Sequence, residues 1–120
     1  MCLFVSMASA AEYVGTMRLA SGYTLDNVRA TIDNYGNLTL YQVKFARLMP
    51  VRIDVVFPKV KLHAESNQVV LSGDSIVPKV NDKPHPDRLV TEMQGRTTPH
   101  YLFFKCMMGT KQMQYEGKSK

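Results

Sequence analysis

Serine, histidine and cysteine are the side chains with which this chain could do covalent chemistry, and their spacing does not assemble a site. Gly73-Asp74-Ser75-Ile76 sets a serine after Gly-Asp, as in some hydrolases. Such a nucleophile needs a histidine base and a strand-to-helix turn that exposes its hydroxyl. Here the block lies mid-chain with no helical pattern after it, so it reads as a turn. His63, His85 and His100 follow no metal-ligand spacing. His85 lies near Asp82 and Asp87, but a histidine between prolines reads as a solvated loop residue. The carboxylates are scattered over turns and polar faces, which leaves no pair for acid–base work. There is neither a glycine-rich phosphate loop nor a CxxC pair. The expectation is a protein that is not an enzyme, with no catalytic residue, no metal ligand and no cofactor.

What the chain offers instead is apolar side chains on alternate positions. Residues 37–64, NLTLYQVKFARLMPVRIDVVFPKVKLHA, alternate for most of their length. Period-two patterning marks half-buried antiparallel strands. It predicts strands over residues 13–20, 27–34, 38–47, 51–63, 68–76, 88–95, 100–108 and 110–116. Val28, Ala30 and Ile32 share one face. Tyr41, Val43 and Phe45 share another, as do Ile53, Val55 and Phe57. Leu89 and Met93 share one face of the sixth strand. The apolar phase slips by one residue at Pro58, which predicts a bulge or bend within one long strand, because proline cannot donate to a ladder. Asn34-Tyr35-Gly36-Asn37 predicts a tight hairpin turn. Residues 77–87, with three of the six prolines, predict a loop. Residues 100–108 are apolar on both faces, as in an enclosed strand or one that meets a partner.

The fold class that follows is all-β: an eight-stranded antiparallel up-and-down barrel, since closure removes exposed edges. A two-sheet sandwich is the alternative. At 120 residues there is room for one domain, with enough buried surface for a core without staples. Residues 1–11 carry no charge, and Leu3 to Ala10 is an apolar run that ends in Ala8-Ser9-Ala10, the small-x-small pattern cut by signal peptidase. Residues 1–11 are read as the end of a truncated secretory signal, 12–117 as the barrel and 118–120 as a disordered tail. Removal of the signal takes Cys2 and leaves Cys106 alone, a small buried hydrophobe in an apolar strand. The net charge of +5 is spread over nearly every strand, as solvated strand faces require; nucleic acid is not expected as a partner.

The run LTLYQVKFARLMPVRIDVVFPKVKL, preceded by ATIDNYGN and followed by VVLSGD, resembles the calycin-like (lipocalin-like) domain proteins of Bacteroides-type bacteria. Phe45, Met49-Pro50, Val51, Ile53 and Val55 carry the likeness, which covers roughly residues 13–116. It implies an exported barrel, periplasmic or in the cell envelope of a Gram-negative bacterium, with no catalytic residue. Two functions fit. One is a carrier that binds a small apolar or amphipathic molecule in a cavity lined by Ile32, Tyr41, Val43, Phe45, Ile53, Val55, Phe57 and Met93. The other is a filled barrel that meets an envelope or protein partner through residues 100–108 and 77–87.

Overall fold

The computed structural model describes residues 11–119, and all statements below concern those residues. Ten of the eleven residues of the expected signal segment therefore lie outside them; the eleventh, Ala11, opens the first strand. Eleven strands pair antiparallel: β1 Ala11–Leu19, β2 Thr24–Ile32, β3 Leu38–Val43, β4 Ile53–Phe57, β5 Lys61–Glu65, β6 Gln68–Gly73, β7 Lys79–Val80, β8 Lys83–Pro84, β9 Val90–Thr98, β10 Tyr101–Met108 and β11 Lys111–Ser119. They form one sheet in the order β5-β6-β9-β10-β11-β1-β2-β3-β4-β7-β8, curled into a half-barrel. The only helical turn described is the short 3-10 turn Pro86–Arg88.

The strand count differs from the expected eight for two reasons. The segment 53–65 divides at Pro58, where the chain leaves β3 and takes up β6 as its partner. Lys59 there takes a positive φ of 61°. The proline-rich loop also folds back on itself, so that β7 pairs with β8 and with β4. The expected tail is strand instead: β11 runs through Lys118 and Ser119, which pair with Val14 and Tyr13 of β1.

Alternation fills the concave side. Val28, Ala30, Ile32, Leu38, Leu40, Val55, Phe57, Leu102, Phe104, Met113 and Tyr115 are all buried. Phe104 lies at the centre, edge-on to Phe57 and stacked on Tyr115, each 5.8 Å away between ring centroids. Two tyrosines bring a hydroxyl into this interior, and each finds partners, as buried polar groups must. Tyr115 donates to the Val28 carbonyl at 2.8 Å, and Tyr13 donates to the Thr98 carbonyl at 2.6 Å while also bonding the Thr97 hydroxyl at 2.7 Å.

Three strands break the alternation by the same device. Register shifts place an extra residue in β2, β3 and β9, and Asn27, Gln42 and Glu92 there have φ of 59°, 53° and 54°. Such bulges bend a strand and raise its twist, which helps the sheet to curl. Each puts two inward side chains three positions apart: Leu25 and Val28, Leu40 and Val43, Val90 and Met93. Two of the bulged amides are held by a carboxylate on a neighbouring segment. Gln42 N donates to Asp54 Oδ1 at 2.9 Å, and Glu92 N donates to Asp74 Oδ1 at 3.2 Å.

Candidate functional site

The concave side is packed solid through its middle and opens at one end. The open end holds a cavity of about 560 Å³. Its wall is built from five separate segments: the end of β1 (Leu19), the loop after β3 (Phe45, Met49), the start of β4 (Ile53), the β7 to 3-10 segment (Val80, His85, Asp87, Arg88), and the β10–β11 hairpin (Met108, Lys111, Met113). Each is a strand end or a turn, so the sheet supplies the frame and the loops supply the lining.

The loop after β3 contributes two half-buried residues to this wall. Met49 N donates to the Ala46 carbonyl at 3.2 Å, closing a turn with Arg47 and Leu48 at its apex. The base of the turn faces the cavity through Phe45 and Met49, and the Met49 sulfur lies 3.5 Å from the Phe45 amide. Opposite, His85 Nδ1 is 3.8 Å from Asp87 Oδ1. The chemical character is thus apolar at depth and polar at the rim, where Arg88, Lys111, His85 and Asp87 meet solvent.

Two of the eight residues expected to line a cavity do so, Phe45 and Ile53. Ile32, Val43, Val55, Phe57 and Met93 point inward but are buried in the packed core. Tyr41 requires correction. The bulge at Gln42 slips the phase of β3, so Leu40 and Val43 point inward and Tyr41 stands on the outer face. There its ring lies 3.9 Å under the Arg29 guanidinium, and its hydroxyl bonds Thr31 at 2.9 Å. Met49, Met108 and Met113, with Leu19 and Val80, are apolar lining residues outside the expected set. The signal available for the methionines was their place beside strand ends, in a residue type that adapts to irregular gaps.

The remaining reactive groups do not converge. Gly73 ends β6 and the chain bends at Asp74-Ser75, with Ser75 at a φ of 55° and Asp74 engaged with the Glu92 amide. No cluster of three or more histidine, cysteine or acidic groups that could hold a metal exists among the described residues. Burial pushes the Cys106 thiol up to about 12 and also raises Tyr13 and Tyr115; the Thr97 hydrogen bond offsets part of the rise at Tyr13. A group whose pKa is raised by folding loses its proton first in the unfolded chain. Its contribution is therefore complete below the ordinary thiol pKa and is lost as pH climbs from there through about 12. Cys106 is expected to be inert to a thiol reagent in the native protein and to react on unfolding. The denaturation midpoint is expected to hold steady from pH 7 to about 8.5 and to fall above it. A midpoint unchanged to pH 11 would show that these groups are not buried.

No protein-family model, no curated protein and no solved structure matches this chain.

Proposed function

We propose that this protein is an exported, non-enzymatic β-barrel that binds a small amphipathic molecule in the cavity at its open end. The observation that carries the reading is the cavity itself. Its volume of about 560 Å³ falls within the roughly 300–1,000 Å³ of small-molecule sites. Its depth is lined by Leu19, Phe45, Met49, Ile53, Val80, Met108 and Met113, and its rim by cations. An apolar body would enter against the methionines and leave a polar end beside Arg88 and Lys111.

The architecture behind this proposal is the eight-stranded, calycin-like barrel. Setting aside the two-residue β7 and β8 and taking 53–65 as one strand bent at Pro58 leaves eight strands in up-and-down order. Closure is supported by the link 58–60, which joins β4 and β5 near the two ends of the sheet, and by Val60 N, which donates to the Gly36 carbonyl at 2.9 Å. Export is supported by the apolar run that ends in Ala8-Ser9-Ala10.

A second reading has its own support. The outer face of β6, β9 and β10 carries a groove of about 520 Å³ with Val70, Arg96, Phe103 and Lys105 on its walls, which suits a filled barrel that meets a protein partner.

The test combines native mass spectrometry on protein purified from its own envelope with titration of N-phenyl-1-naphthylamine, an apolar fluorescent probe. The carrier reading expects a small molecule released on unfolding and saturable probe binding. Met108→Glu places a carboxylate in the cavity wall on a half-buried side chain and is expected to weaken the probe at least about tenfold, the equivalent of about 1.4 kcal/mol. No released molecule together with no probe binding would overturn the carrier reading in favour of the filled barrel.

A further inference from the structure

Only three large hydrophobic side chains are strongly exposed among the described residues, and two of them stand on one loop at the cavity mouth. Leu48 is 91% exposed and Val51 60%. Leu48 shares the apex of the Ala46-to-Met49 turn with Arg47, so it projects away from the Phe45 and Met49 side chains that face the cavity. Lone exposed leucines are ordinary, but two on one short loop, ringed by cations, are not. Lys44, Arg47 and Arg52 belong to the same loop, and Arg88 and Lys111 stand across the mouth. These five cations face one carboxylate of the cavity lining, Asp87. The Asp54 carboxylate stands at the foot of the loop, where it accepts from the Gln42 amide and side chain. Arg52 also donates to the Gln42 carbonyl at 3.1 Å, which ties the base of the loop to β3 and leaves the apex free to project.

We propose that the loop spanning residues 44–52 docks this end of the molecule onto an anionic lipid surface. Leu48 and Val51 enter the headgroup boundary, and Lys44, Arg47 and Arg52 meet the lipid phosphates. Apolar insertion and cation attraction then act at the same place, the combination that holds peripheral proteins on anionic bilayers. The geometry points to this occupant because the apolar tip is only two side chains wide, too small for a stable protein interface, and because cations outnumber carboxylates around it. Docking itself does not depend on the ligand reading; only its use, to present the cavity mouth to a bilayer that holds the amphiphile, rests on that reading.

Sedimentation with extruded vesicles tests the proposal. The wild-type chain is expected to bind vesicles of phosphatidylcholine with 30% phosphatidylglycerol, to bind pure phosphatidylcholine at least tenfold less, and to lose most binding when salt rises from about 0.1 M to 0.5 M. The double variant Leu48→Glu/Val51→Glu is expected to lower partition onto the anionic vesicles at least tenfold. Arg47→Ala is expected to lower it about fivefold, as one cation near an anionic surface should. None of these side chains lines the cavity or packs in the core, so the melting curve and the affinity for N-phenyl-1-naphthylamine in solution should stay as in wild type. That solution affinity separates the two readings: probe binding without vesicle binding overturns docking alone. Equal binding to neutral and anionic vesicles, or unchanged binding by the double variant, also overturns it.

Discussion

Phe104→Ala is expected to cost about 3–5 kcal/mol, the range for removing a fully buried aromatic ring. Phe104 has no solvent exposure, and its ring touches two others that come from different parts of the sheet, Phe57 of β4 and Tyr115 of β11. The edge-to-face and offset arrangements each add to area burial. Truncation would therefore leave a cavity bounded by rings already held elsewhere. Phe57 is fixed by its strand, and Tyr115 is anchored through its hydroxyl to the Val28 carbonyl. Collapse into the gap is restricted further by Gly95, on the paired strand β9. Its missing side chain already lets the sheets of atoms approach: a Cβ built there would lie 2.6 Å from the Phe104 Cβ. Urea melts of wild type and variant measure the loss directly. A change below about 1.5 kcal/mol would mean that the ring is not enclosed, and the inward face assigned to β10 would be wrong.

The same strand shows what could be read from the chain and what could not. Alternation in β2 was legible because Val28, Ala30 and Ile32 sit past the bulge at Asn27, in unbroken register. Alternation in β10 was half legible. Leu102, Phe104 and Cys106 point inward, but Tyr101, Phe103 and Met107 are apolar too, so side-chain type could not choose the face. They lie half-buried on the outside, where Tyr101 donates to Glu116 at 2.9 Å and stands 5.9 Å from the Arg96 guanidinium. The strand is therefore not enclosed on both faces. The bulges were the larger obstacle. A bulge moves every later residue of a strand to the opposite face, and its cause is backbone geometry together with a carboxylate elsewhere, Asp54 for Gln42 and Asp74 for Glu92. Nothing in L-Y-Q-V announces this, so alternation alone puts Tyr41 inward when it is outward. Gly95, the expected last residue of the sixth strand, lies within β9 and pairs with Phe104. The candidate site was least legible, because its wall comes from five segments that only the completed sheet brings together.

Gly36→Ala is expected to destabilise by about 2–4 kcal/mol, more than any ordinary turn substitution, because two separate penalties meet there. The first is conformational. Gly36 has a φ of 84°, and an L residue held in the left-handed region is disfavoured by roughly 1–2 kcal/mol. The turn cannot relax easily, since Asp33 fixes it from inside: its carboxylate accepts from Tyr35 N, Asn37 N and Asn37 Nδ2 at 2.9–3.0 Å. The second is steric. A Cβ at this position would lie 2.2 Å from the Val60 carbonyl oxygen and 3.0 Å from its nitrogen, backbone atoms that cannot turn aside as a side chain could. Overpacking of this kind adds roughly 1–3 kcal/mol. The atoms it would displace are those of the hydrogen bond from Val60 N to the Gly36 carbonyl, the contact where the link between β4 and β5 passes the β2–β3 hairpin. Gly22, by comparison, has a φ of 94° with open space around its missing Cβ, so Gly22→Ala carries the conformational penalty alone. The pair separates the two terms in one set of urea melts. A clear excess loss for Gly36→Ala identifies the approach of Val60 as a close contact that helps hold the curled sheet. Equal losses for the two variants would mean that the link at 58–60 stands off from the hairpin, and the closed-barrel reading would lose its main structural support.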